Sequence, residues 1–536
     1  MRVRIGVVLI LGVVASLVHA SVSAAEGEGQ ADLDKAIETK LASQTIVELG
    51  AVIDLCQSAL DKGLDKGNEA FCNELLSATL LQRAEAICDR LFDQGNDLGD
   101  QWPVFWRLAL KDVERAIKID AKQPLAQLLL GKLQSIPGAD GKKARQALDE
   151  AIQLAKDDDQ LKSQALRWRA MTSDNLDARL KDLTEAIELA PGDAKMLRDR
   201  GVAYLVGNRA DDALADFDAA LTVESHDAAT HNYRGLALDV LQRYEEARQS
   251  FAKAAELEPM ATEPLLQRAR VSFNLRKFDD SIEDAKRVLE LEPDNVDGLI
   301  IKAQALALDD KADEAVSDAN RAVEMKPESD DVLRIWAMVT EKAGKTADAI
   351  DSLRKQVEAN PDDAVAWLQL GLLYAAEKEM PKAIDAFSAA IKIDRDREFA
   401  YEMRANSYLN RGMRKNAIAD YQKALKLDQD NSGVLNNLAW LLATAPEDEL
   451  RDGEAALTLA TQASEITNYK QAHILSTLAS AYAEMGDFEK AREWSQKSID
   501  IADDSLKGQL RKELASYEKK QPWRERQEES DVKSDE

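Results

Sequence analysis

The chain is short of the residues that interrupt helices and of the rings that favour strands. Its 536 residues include 12 Pro and 24 Gly, and aromatics make up 5%. That scarcity excludes a collagen-like or loop-rich chain and argues against an all-β fold, leaving an almost wholly helical protein. Histidine is scarcer still, with 4 in all, and only His226, His231 and His473 lie beyond the first 24 residues. Nucleophile and base pairs are therefore hard to assemble. His226 and His231 stand five apart, which is not the helical spacing of a two-histidine metal site. No phosphate loop and no dinucleotide glycine fingerprint occurs, so the sequence calls for no cofactor, no metal and no enzymatic activity. Basic charge is also in deficit, at 70 Lys and Arg against 98 Asp and Glu, a net −28. Such a chain has no broad phosphate-neutralising surface, which excludes nucleic acid as a partner.

Long apolar runs are absent except at the start. Arg2 and Arg4 precede an apolar stretch from Ile5 to Leu17, and Val22-Ser23-Ala24 fits the small-x-Ala pattern of signal peptidase. Residues 1–24 are read as a cleaved signal peptide too short to span a bilayer. No cysteine precedes Cys56, so a lipoprotein anchor is not expected, and the mature protein is placed in the periplasm or outside the cell without stable membrane insertion. Cys56, Cys72 and Cys88 are spaced 16 apart. An oxidising compartment permits one disulfide between neighbours on adjacent helices, while packing as small apolar residues is the simpler reading.

A chain of this length cannot fold around one core and must split into domains or stack small units. What it does have is a period of 34. One position reads Ala186, Ala220, Ala254, Val288, Ala322, Gln356, Ala390 and Ala424, and a Pro recurs at 191, 259, 293, 327 and 361. Small residues let two helices approach closely, and a Pro once per period ends the second helix. Each period is thus a helical hairpin that buries its apolar face only by stacking on its neighbours. The repeats fill 124–500, after an irregular helical region at 25–123 with degenerate repeats and a Gly-rich interruption at 95–100. Leu506, Leu510, Leu514 and Tyr517 stripe a capping helix within 501–521, and 522–536 is read as a charged, unstructured tail. Ser281 and Ala285 depart from the small-and-aromatic pair found elsewhere, so their repeat is expected to stack less regularly.

Trp367, Leu370, Gly371 and Tyr374, followed by Ala383 and Phe387, reproduce the tetratricopeptide signature at its proper spacing. The chain resembles a tetratricopeptide repeat protein. The longer loop after Asn436-Asn437-Leu438-Ala439-Trp440 is similar to that of exported bacterial members. This resemblance implies an all-α, right-handed superhelical solenoid of antiparallel helix pairs. It also implies a non-catalytic scaffold that binds a protein or peptide partner in the groove lined by the first helix of each repeat. A structural part of an envelope assembly, or a holder of exported chains, is the alternative. Carrying the family's groove positions over gives Leu368, Leu372, Asn406, Asn436 and Trp440 as the first candidate surface. Arg198, Asn232, Arg270 and Arg334 form a second, more basic one. The family's carboxylate clamp of Lys and Asn is not reproduced.

Overall fold

A computed structural model describes residues 28–93, 99, 101–309 and 311–525. The expected signal peptide, most of the interruption at 95–100 and the tail beyond Glu525 lie outside the described residues. Within them the chain is a succession of α-helices with no strand. From Asp159–Met171 to Phe488–Ile501 the helices alternate in length, 13 residues for the first of each pair and 14 for the second. The architecture is an all-α solenoid of antiparallel helix pairs.

Local chemistry fixes each pair. Between the two helices of six repeats the chain passes through one left-handed residue, Asn208, Gln242, Arg276, Gly344, Lys378 or Gly412. Close approach within the pair depends on glycine, since a Cβ at Gly201, Gly235 or Gly371 would lie 2.5, 2.5 or 2.4 Å from the ring of Phe217, Phe251 or Phe387. Where Ala269, Ala303 or Ala337 replaces that glycine, the opposing position holds Ala285, Ala319 or Leu353, so volume lost on one helix is regained on the other. The Ser281 repeat therefore keeps helices of 13 and 14 residues, Thr262–Asn274 and Phe278–Leu291, with Ser281 and Ala285 fully buried. Ala186, Ala220, Ala254, Ala322, Ala390 and Ala424 are all buried at helix crossings.

Upstream, helices Gln30–Ala42, Ile46–Lys62, Lys66–Asp93 and Trp102–Ile119 are more varied in length. They enclose their own core of Leu33, Val52, Ile53, Leu80 and Ile87. At the far end, helix Asp504–Glu518 buries Leu510 and Tyr517 while Leu506 stays 42% exposed. After it the chain turns back. Trp523 packs near Tyr517, and Arg524 pairs with Glu484 at 2.7 Å. Contacts divide the chain between Glu258 and Pro259 into two bodies.

Candidate interaction surfaces on the first helices

In the first body, helix Ala194–Val206 carries Lys195 and Arg198 on the face that the sequence assigns to ligands, and helix Ala228–Val240 carries Asn232. Beside them opens a hollow of about 630 Å³, lined by Phe92, Arg167, Lys195, Arg198 and the turn Val223–Asp227. Its cations are held in place by carboxylates: Arg198 meets Asp227 at 2.5 Å, and Arg167 meets Asp199 at 2.5 Å. Burial opposes ionisation of Asp227, but the Thr230 hydroxyl and the Arg198 guanidinium outweigh it and hold its pKa below the usual range. Phe92 stands edge-on to Trp168 with ring centroids 4.9 Å apart, closing one wall. The amide oxygen of Asn232 is buried and has no hydrogen-bond partner. Desolvating an acceptor without a partner costs about 1–3 kcal/mol. His226 and His231 both turn to Ser225, through its hydroxyl at 2.9 Å and its carbonyl at 3.1 Å.

The second body is arranged differently. Leu368 and Leu372 of helix Ala364–Ala376 are 1% and 9% exposed, so both belong to the core. Asn406 is half-buried and accepts from the Tyr421 hydroxyl at 2.5 Å, which commits its amide oxygen. Asn436 is buried with an unpartnered amide oxygen, and Trp440, one helical turn on, is half-exposed. Arg270 is exposed and donates to Gln267. Arg334 reaches across an entire intervening repeat to Glu402, 2.5 Å away, and lies over the Phe399 ring at 4.6 Å. A second tie of the same span joins Arg397 to Asp330. Burial, then Glu402 and Asp330, push Glu398 up to about 7.

A recurring ion pair joins the two helices of several repeats, and hydrogen bonds from the same arginines reach the repeat before. Arg200, Arg268 and Arg404 each grip an aspartate of their own second helix with two bonds, Asp216, Asp284 and Asp420. Lys302 reaches Asp318 in the same way at 2.9 Å. Arg404 also donates to Ser388 of the preceding repeat at 3.0 Å, and Arg200 to Thr184. The signal was available: Arg at 200, 234, 268 and 404 and Asp at 216, 284, 318 and 420 all keep the 34-residue register. These pairs are structural. Among the described residues no group of three or more His, Cys, Asp or Glu side chains is placed to hold a metal, and no helix is long and apolar enough to cross a membrane.

Two family models described as tetratricopeptide repeat match the chain, one at residues 168–225, 198–259, 266–330 and 336–398, the other at 400–431 and 472–505. No curated relative matches. Among solved structures, the chain is similar to YrrB, a TPR protein with an unusual peptide-binding site, at 22% identity over 41% of this chain and 95% of that one, TM-score 0.27. It is similar to yeast Tom70 at 18% identity, over 72% and 96%, TM-score 0.31. A third likeness is to the APC/C hetero-tetramer Cut9–Hcn1, at 17% identity over 82% and 91%, TM-score 0.32.

Proposed function

Because the chain belongs to the tetratricopeptide repeat family, whose repeats mark protein–protein interaction scaffolds, we propose that it binds an extended peptide segment of a partner protein in the hollow lined by Lys195 and Arg198. The observation that carries this reading is an open hollow with Lys195, Arg198 and Arg167 in its wall, on the helices that the repeat register assigns to ligands; the unpartnered amide oxygen of Asn232, on the next first helix, is a separate support. The guanidinium of Arg198 and the ammonium of Lys195 favour an acidic segment, and Phe92 offers it an apolar contact. Binding of this kind needs neither catalysis nor a cofactor.

A second reading places the peptide on Asn436 and Trp440, supported by the other unpartnered amide oxygen. Titration calorimetry with a partner captured from the cell envelope separates the two. Arg198→Glu should weaken binding at least tenfold, with Trp440→Ala leaving it unchanged. The reverse pattern moves the site to the second body, and no effect of either variant ends both readings.

The compartment is part of the proposal. Arg2, Arg4 and the Ile5–Leu17 stretch support export to the periplasm or beyond, with the mature chain beginning near Ala25. Sequencing of the mature N-terminus tests it, and Met1 retained on the cell-derived protein overturns it.

A further inference from the structure

Helices Ile46–Lys62 and Lys66–Asp93 form a tight hairpin in the first body. Cys56 stands six residues before the first helix ends (62 − 56) and Cys72 six residues after the second begins (72 − 66), so antiparallel packing brings them to one level. The Cys72 thiol donates to the Cys56 carbonyl at 3.4 Å, and both side chains are fully buried. Their proximity shifts the two thiols in opposite directions, raising the pKa of Cys56, with burial adding to it, and lowering that of Cys72. Cys88 has other company: burial pushes it up to about 12, and its charged neighbours are Lys132, Asp89 and Glu85.

We propose that Cys56 and Cys72 close into a disulfide when the chain folds in an oxidising compartment, leaving Cys88 as a buried free thiol. The inference is independent of the peptide-binding reading and depends on the leader only for the compartment. A small disulfide such as oxidised glutathione is the oxidant. One of the two cysteines, Cys72 in this scheme, attacks one of the oxidant's sulfurs as the thiolate while the hairpin is still open, expelling a glutathione thiolate and forming a mixed disulfide. Cys56 then loses its proton and attacks the Cys72 sulfur, expelling the second glutathione thiolate. Two protein S–H bonds are lost, one S–S bond forms, and the glutathione disulfide is reduced to two thiols. Because Cys56 and Cys72 are both fully buried in the folded hairpin, exchange takes place before their core closes.

The test uses the full mature chain, unfolded and reduced, then refolded in a glutathione redox buffer, alkylated in denaturant and mapped by mass spectrometry. The expected result is loss of two of the three alkylatable thiols, with the peptides holding Cys56 and Cys72 joined and Cys88 alkylated. Cys88→Ser should leave the crosslink in place, and Cys56→Ser should abolish it. Three alkylated cysteines in protein that has regained its helical circular dichroism overturn the proposal. So does Cys88 in the bond, or refolding that succeeds only under reducing conditions.

Discussion

Arg334 donates to Glu402 at 2.5 Å across 68 residues of sequence, tying the first helices of two repeats that have a third between them. Glu402 is 6% exposed, and burial holds its pKa above the usual carboxylate range against the pull of Arg334. Between the two tied helices lies helix Ala364–Ala376, which carries the buried Leu368 and Leu372. Arg334→Ala strands a buried carboxylate and should destabilise the surrounding repeats by about 1–3 kcal/mol, less than a fully buried pair because Arg334 is itself part-exposed. Hydrogen exchange across helices Asp330–Lys342 and Glu398–Asn410 reads the loss locally, and protection equal to the parent would show that the tie carries no load.

Beside it, Glu398 gives the second body a pH dependence. Its folded pKa, about 7, is raised above the ordinary 4.5 by burial and by Glu402 and Asp330, so the folded form holds the extra proton. The stabilisation is complete below pH 4.5 and is lost as pH rises through 7. Glu398→Gln should remove that slope and raise stability at pH 8 by about 1–2 kcal/mol after allowance for solvent screening. Melting curves of parent and variant at pH 5 and pH 8 check it, and parallel shifts in both would contradict the assignment.

The exchange of volume between paired helices predicts a rescue. Gly371→Ala puts a methyl 2.4 Å from the Phe387 ring and should cost about 1–3 kcal/mol. Adding Phe387→Leu recreates the Ala337 and Leu353 pair of the preceding repeat and should recover most of the loss. If the double variant is as unstable as the sum of the singles, the two positions do not share space.

Turn residues predict a gain. Gln242 and Arg276 sit at φ 58 and 59, where Gly344 and Gly412 serve in other repeats. A side chain in the left-handed region costs about 1–2 kcal/mol, so Arg276→Gly should stabilise its repeat by up to about 1 kcal/mol after the entropy of glycine is subtracted. A lower melting temperature in the variant would contradict this.

Much of the fold is legible in the sequence because it is local. The 34-residue register, the buried alanines and the Gly371 and Phe387 pair each depend on residues within one hairpin or its immediate neighbour. The recurring ion pair of Arg200, Arg268 and Arg404 is equally local, and it stays hidden only until the repeats are aligned on their charged positions as well as their small ones. The Arg334–Glu402 tie is of another kind. It depends on how far the stack curves over two repeats, a sum of small rotations that no single hairpin encodes. For that reason the groove positions of Leu368 and Leu372, sound as register, say nothing about exposure. The unpartnered oxygens of Asn232 and Asn436 share this property, since only packed neighbours decide whether an amide is satisfied.

On the proposed function, the first helices that carry Arg198 and Asn232 receive a partner. Site-specific photo-crosslinking in the native envelope tests it most directly, with a photoreactive side chain placed at Asn232 or, as a control, at the exposed Glu245 of the second helix. One discrete adduct is expected from position 232, lost on adding Arg198→Glu, and none from position 245. Adducts of equal yield from both positions, or a discrete adduct from 232 that survives Arg198→Glu, would contradict it.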